Sequence, residues 1–418
     1  MSNTSTSFDP VPTQPVVIPV QSESSHSIDT ASSVNAENTV DAVSDAIDLS
    51  KTAFARDKEI WSKNKPTTIE YLLHAMEACG RSPISLMWEF KKLSRQKGKI
   101  TFPEYVQFGL YDPEMSFEDK QRFISVRRHW PITKKCCDMT WQAATEDKWL
   151  CAKILQGTSV AVPESLAVID KTGRNYPRTQ KITTVDEFRK FALANRGKPF
   201  FGKENRGMVS FGAFLVLEAD SDRLHLKGEG WIEYDKFMEK YVGDTSYLIQ
   251  RCQENHKFFE KYTDSLATVR ICILVADDGI KVPFAVLKLP ARDQIADSFW
   301  RPGNLACNID PTNGQILDAR TKSHLGTQSF SKHPECDEDL VNEFLPEWDA
   351  LLELVHECSL IFSPLRYQSM DVAITGEGPV LIEINTGGGF DLPQLATGKG
   401  MLTDEVMQFF KSCGCPKF

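Results

Sequence analysis

The fold turns on one stretch, "PVLIEINTGGGFDLPQ", Pro379 to Gln394. Its first half reads as a strand, yet it carries Glu383 and Asn385 among apolar residues. Alternation along a strand places Glu383 and Asn385 on one face and Ile382 and Ile384 on the other. Just upstream, "SMDVAIT", Ser369 to Thr375, reads as a partner strand in which Asp371 points away from Met370 and Val372. If the turn is the three-residue loop Gly376-Glu377-Gly378, Thr375 pairs with Pro379 and Asp371 falls opposite Glu383. Two carboxylates that close repel unless a cation lies between them. Two carboxylates and a carboxamide oxygen are hard ligands of the kind magnesium takes beside phosphate oxygens and water, and manganese is compatible with the same set. The competing reading is a solvated sheet face, on which Asp and Glu are harmless. Against it, the "TGGG" that follows is a turn able to approach a ligand closely.

A second piece lies upstream, with Lys203 180 residues before Glu383. "FFGKENRGMVSFG", residues 200–212, reads as a strand ending near Lys203, then a loop holding Gly207, Ser210 and Gly212. Backbone N–H groups of such a loop can receive phosphate oxygens, and an ammonium beside it adds charge. It is not a Walker A loop, since no G-K-[ST] follows, and no G-x-G-x-x-G occurs. A hairpin turn with incidental glycines is the competing reading.

The 418 residues are 41% hydrophobic and 25% charged, ordinary globular usage for one large or two to three smaller domains. A net charge of −9 argues against nucleic-acid or anionic-membrane binding as the main role and leaves room for a local basic pocket. The 11 cysteines, irregularly spaced, suggest reduced thiols and no zinc site. No apolar run is long enough for a membrane span and no secretory pattern opens the chain, so a cytoplasmic location is expected.

Residues 1–50, rich in Ser, Thr, Asn and Asp, are expected to form a disordered tail. Residues 51–145 read as a helical module, with "TTIEYLLHAMEACG" carrying an apolar stripe at Ile69, Leu72, Leu73 and Met76 and ending at Gly80. Ser82 and Pro83 open a second helix, and Ser116 caps a third. Residues 146–418 alternate strands and helices, with hairpins prominent, which points to an α+β class. No Ser/His/Asp or Cys/His constellation for nucleophilic catalysis stands out.

The glycine loop followed by the hairpin resembles the ATP-grasp superfamily. Glu146 to about Lys411 resembles its sugar-transfer-associated branch, which is related to α-L-glutamate ligases. The segments that carry the likeness are the glycine loop, "YLIQRCQENHKFF", "LATVRICIL", "FAVLKLPA", "GNLACNIDPTNGQIL" and "MDVAITGEGPVLIEINTGGGFDLPQ". "GKITFPEYVQFGLYD" in the helical module resembles the N-terminal part of that branch.

The resemblance implies an ATP-grasp fold, two α+β subdomains gripping ATP between antiparallel sheets, with a lid at about residues 195–252. It assigns Lys203 to the nucleotide phosphates, and Gly207, Ser210 and Gly212 to a flap over them. The backbone of Arg251 and Cys252 would meet adenine beside Gln250, where relatives have an acidic residue. His256 would lie near the ribose or phosphates, with a plain surface role left open. Lys148 would reach the phosphates, with Lys153 its competitor, since on a helix the two point about 140° apart. Arg270 and Lys288 would touch phosphate or acylphosphate, and Asp371, Glu383 and Asn385 would hold magnesium. Arg301 stands in "DSFWRPGNLACN", which departs from relatives where they help hold the acceptor.

The implied activity is an ATP-dependent, ADP-forming carboxylate–amine ligase acting through an acylphosphate on small-molecule substrates: an amino acid, peptide or sugar acid. A kinase acting on a hydroxyl and a non-catalytic nucleotide-binding module are the alternatives. Neither nucleic acid nor a membrane span is expected, and the oligomeric state is not legible.

Overall fold

The computed structural model describes residues 49–63 and 65–415, so the expected tail falls outside the described residues up to residue 48. The strands form two seven-stranded sheets. The first holds β1 (Ser165–Ile169), β2 (Gln180–Ile182), β3 (Phe200–Glu204), β4 (Phe214–Ala219), β5 (Arg223–Leu226), β6 (Gly230–Glu233) and β7 (Tyr247–Arg251), in the order β2-β1-β7-β3-β4-β5-β6. The second holds β8 (Thr268–Ala276), β9 (Gly279–Leu289), β10 (Leu305–Ile309), β11 (Ile316–Lys322), β12 (Thr327–Phe330), β13 (Tyr367–Thr375) and β14 (Gly378–Thr386), in the order β12-β11-β10-β9-β8-β13-β14. β1 and β2 pair parallel, and the other pairings among these strands are antiparallel. The class is α+β, as the hairpin-rich pattern implied.

Each sheet buries one face in its own apolar cluster. In the first, Phe200, Phe214, Tyr247 and Ile249 pack against Phe188 and Phe191 of the helix Val185–Ala194. In the second, Ile271, Leu287, Met370 and Ile384 pack against Leu351, Val355 and Cys358 of the helix Trp348–Ile361. Each such side chain contributes about 1.5–3 kcal/mol through burial. Period-2 alternation then sends the charged residues of both sheets to the opposite faces. Those faces meet where β3 and β14 approach, and Lys203 Nζ donates to the Ile382 carbonyl at 3.0 Å.

The helical module follows its local signals. Thr68–Cys79 ends on Gly80 at φ 66, a left-handed cap that favours glycine, and Ser82 caps Pro83–Leu93 by accepting from Ser85 N. The expected apolar stripe is only half right. Ile69 and Leu73 are 69% and 49% exposed, while Tyr71 and Ala75 are buried with Leu86 and Tyr105. Periodicity marks a helix, but the position of its neighbours selects the buried face.

The β13–β14 register arises differently from the expectation. Thr375 pairs with Gly378, so the turn is Gly376-Glu377, one residue shorter. On that register alone Asp371 would face Ile382. A β-bulge shifts the pairing so that Val372 faces Leu381 and Asp371 faces Glu383, with Ile382 as the extra residue. The bulge also parts the two isoleucines: Ile384 enters the core, while Ile382 lines the cleft and gives its carbonyl to Lys203.

Candidate functional site

A cleft with about 330 Å³ of free space, its open mouth included, lies between the sheets. Lys148, Cys151, Lys203, Gln250, Ile382 and Glu383 line it. Lys148 opens the helix Lys148–Leu155, whose N-cap Asp147 accepts from Leu150 N and pairs with Arg174 and Arg206. Its Nζ donates to the Gly207 carbonyl at 2.6 Å and lies 3.4 Å from Glu383 Oε1. Lys153 instead donates to Gln156 Oε1 at 3.4 Å, so of the two competitors Lys148 is the one that enters the cleft.

Lys203 and Gln250 reach the same cleft from adjacent strands, since Phe201, next but one to Lys203, pairs with Gln250. Gly202 between them faces the core, where a Cβ would lie 2.0 Å from the Phe214 ring. Lys203 is buried, and burial pushes its ammonium down to about 8, with Glu383 opposing the shift.

On the second sheet a row of charge crosses four strands, from β14 through β13 and β8 to β9. Asp371 stands opposite Glu383 on one side and Arg270 on the other. Arg270 grips both Asp371 oxygens, Nε on Oδ1 and Nη2 on Oδ2 at 2.7 Å. Lys288 Nζ lies 3.1 Å from Asp371 Oδ2 and 3.0 Å from Asp297 Oδ2. Burial would raise the Asp371 carboxyl, but Arg270 and Lys288 overcome it and hold it well below the ordinary carboxylate range. Burial likewise disfavours charge on Arg270, and Asp371 more than restores it. Arg270 and Lys288, expected at phosphate, are here partners of Asp371.

The cations beside the carboxylates are therefore the protein's own. Lys148, Lys203, Arg270 and Lys288 stand against Glu204, Asp297, Asp371 and Glu383, and Lys203, whose hydrogen-bond acceptor is a backbone carbonyl, is the cation best placed to meet an anion. Asn385 Nδ2 is buried without a hydrogen-bond partner. Among the described residues no group of three or more His, Cys, Asp or Glu is arranged to hold a metal. Two facing carboxylates and a nearby carboxamide are not a full protein cage. As hard oxygen donors they are of the kind magnesium takes beside phosphate and water, with both Asp371 oxygens already engaged by Arg270 and Lys288.

The glycine loop, which leads into β4 of the first sheet, meets the connection between β9 and β10 of the second. Its Val209 carbonyl accepts from Trp300 Nε1 at 2.9 Å and Ser298 Oγ at 3.1 Å. Val209, Ser210 and Gly212 have φ of 55, 56 and 67. Gly212 N donates to Asp57 Oδ2 at 2.8 Å, and Arg301 Nη2 lies 3.1 Å from the same oxygen. Arg301 thus joins the loop, apart from the Arg270–Lys288 row. Asp57, Asp297 and Trp300 were missed in the sequence. Asp297 and Trp300 lie in the segment that departs from relatives, whereas Asp57 carries no local signal.

Other candidates lie off the charged cluster. Arg251 pairs with Glu164, and Cys252 is half-buried, its thiol pushed up to about 11 by burial. His256 Nδ1 accepts from Phe258 N at 3.1 Å and caps the turn Lys257–Phe259. The close approach expected of "TGGG" is made to protein: a Cβ on Gly387, at φ 75, would lie 2.5 Å from Thr133 Oγ1 of the helix His129–Cys136. All eleven cysteines are free thiols. Among the described residues no helix is long and apolar enough to cross a membrane.

The family model for sugar-transfer associated ATP-grasp proteins matches residues 132–409. No curated protein matches the chain. D-alanine–D-alanine ligase from Bacillus anthracis is similar at 14% identity over 67% of this chain and 70% of that one, with a TM-score of 0.36. D-alanyl-alanine synthetase A from Vibrio cholerae is similar at 14% identity over 66% and 67%, with a TM-score of 0.39. N5-carboxyaminoimidazole ribonucleotide synthetase from Thermotoga maritima stands at 9% identity over 64% and 49%, with a TM-score of 0.32. The family match spans well over half of the sequence and takes in both sheets and the Lys203–Glu383 cleft: the chain belongs to the sugar-transfer-associated ATP-grasp family.

Proposed function

We propose that the protein is an ATP-dependent, ADP-forming carboxylate–amine ligase working through an acylphosphate. The observation that carries this reading is the convergence on β14 of Lys148, from the helix Lys148–Leu155, and Lys203, from the first sheet, at Glu383, which faces Asp371, and its neighbour Ile382. Two ammonium groups over paired carboxylates suit a polyphosphate chain with its counter-ion. Asp371, Glu383 and the Asn385 carboxamide would hold magnesium, which would neutralise charge on the phosphates. Lys148 and Lys203 would bind those phosphates, and the Gly207–Gly212 loop would cover them. Asp371 orients Arg270 through both oxygens, and Arg270 with Lys203 would stabilise the transferring group.

In the first step a substrate carboxylate oxygen bonds to the γ-phosphorus and the bond to ADP breaks. In the second, an amine attacks the acyl carbon, phosphate leaves and the amine gives up a proton. No side-chain nucleophile is required. Cys151, the thiol in the cleft, is pushed up to about 12 by burial and stays protonated near neutral pH. This reading includes the division near residues 50 and 145, a lid at about 195–252, and an amino acid, peptide or sugar acid as substrate.

The test is ADP release with MgATP and pooled amino acids and uronic acids, followed by mass spectrometry of the product. An amide product is expected. A stable phosphorylated acceptor would replace the ligase with a kinase. Thermal stabilisation by MgATP without turnover would make the chain a binding module, and no response to nucleotide would remove the reading altogether.

A further inference from the structure

We infer that Asp57, in the helix Ala53–Ser62, is a positioning residue that latches the glycine loop across the two sheets. The inference rests on the nucleotide reading of the cleft, but Asp57 and its helix lie outside the family-matched segment, which holds their partners Gly212 and Arg301.

The helix is anchored on the sheet that carries the loop. Thr52 caps it, Ala53 is buried in the first sheet's core, and Arg56 binds Glu229 at 3.0 Å and lies 5.0 Å from the Tyr241 ring centroid. At the next residue, Asp57 Oδ2 accepts from both Gly212 N and Arg301 Nη2. Gly212 leads into β4 of the first sheet, and Arg301 precedes β10 of the second. A single carboxylate oxygen therefore ties the lid side to the β9–β10 connection of the opposite sheet.

Packing reinforces that tie. Phe211 meets Phe54 at 5.7 Å, Trp61 at 6.0 Å and Trp300 at 5.3 Å between ring centroids. At its other end the loop is held by Lys148 on the Gly207 carbonyl. A glycine-containing loop loses much conformational freedom when ordered, so a second fixed point favours the covered state. Arg301 is 11% exposed and its Nε has no hydrogen-bond partner, so removing the Asp57 charge would leave a mostly buried guanidinium short of its counter-ion. Loss of the latch should therefore speed escape of whatever lies beneath the loop.

The full chain is loaded with magnesium and the fluorescent nucleotide mant-ADP, then chased with unlabelled ADP in a stopped-flow instrument. Asp57→Asn is expected to raise the dissociation rate about tenfold, the loss of one charge-assisted bridge. Asp57→Glu, which keeps the charge, should recover most of the wild-type rate. Arg301→Gln should give the same rise from the other end, with no further rise in the double variant, and it reads the latch even if Asp57→Asn does not fold. A tie that is only structural would lower the melting temperature and leave the rate unchanged, which overturns the inference. Slower release would overturn it too, because Asp57 would then be competing with phosphate for Gly212 and Arg301. A wild-type chain that binds no mant-ADP would remove the nucleotide reading and the latch with it. Wild-type binding with unaltered rates in both single variants removes the latch alone.

Discussion

A cluster of buried charge in the helical module can be set against the one between the sheets. In the module Glu89 accepts from Lys120 at 2.8 Å, Arg81 at 2.6 Å and Tyr105 at 2.7 Å. Burial would raise its carboxyl, but these donors keep it lowered, and Arg81 also donates to Ser85 Oγ. All four residues come from one run of helices, and the cluster staples that run together. In the cleft the charges come from two sheets. Lys203 is left with a backbone carbonyl as its hydrogen-bond acceptor, and Asn385 Nδ2 has none. Buried charge alone is thus poor evidence of function. Donors left over between separable layers are better evidence.

The largest expected effect falls on turnover. Glu383→Gln should reduce MgATP-dependent ADP release at least about 100-fold while the melting transition stays cooperative. Asp371→Asn should lose turnover as well, but it also strips Arg270 and Lys288 of their shared counter-charge, at a cost of about 3–5 kcal/mol in denaturant unfolding. Full activity in Glu383→Gln would break the contrast with the module.

The module predicts the reverse split. Glu89→Gln should cost about 3 kcal/mol in stability and leave nucleotide affinity unchanged once corrected for folded fraction. A weakened affinity would mean that the two clusters communicate.

Lys203 supplies a pH dependence. Its folded value, about 8, lies below the ordinary lysine value of 10.5. Burial of the charged form therefore opposes folding below pH 8, and that penalty fades as the pH rises toward the unfolded value. Phosphate binding runs the other way, because it needs the ammonium. Affinity for MgADP should weaken above pH 8 by up to about tenfold per pH unit, and Lys203→Met should flatten the profile, as read by calorimetry. The smallest contrast sharpens the site's edge. Lys148→Ala should weaken MgADP about tenfold, the value of one charge-assisted contact, while Lys153→Ala leaves it unchanged.

Much of the fold was legible because its signals are local. Gly80, Ser82 and Ser116 stop and start helices by their own backbone and side-chain chemistry, and all three do so here. Alternation on β13 and β14 placed Asp371 opposite Glu383, though through a turn of the wrong length. The face of Thr68–Cys79 was misread because Ile69 and Leu73 satisfy helical periodicity equally well when they point to solvent. The choice between Lys148 and Lys153 was not legible, because it depends on which side of their helix the second sheet lies.

From the sequence alone came the α+β class, the hairpin that pairs Asp371 with Glu383 and the family likeness, all carried by short-range pattern. Tertiary structure decided the rest. The Asp371–Arg270 grip spans 101 residues, the Asp57–Gly212 bond 155 and the Lys203–Ile382 bond 179. Contacts over such separations are made by packing two sheets and a helix together, and neither propensity nor periodicity along one segment encodes them.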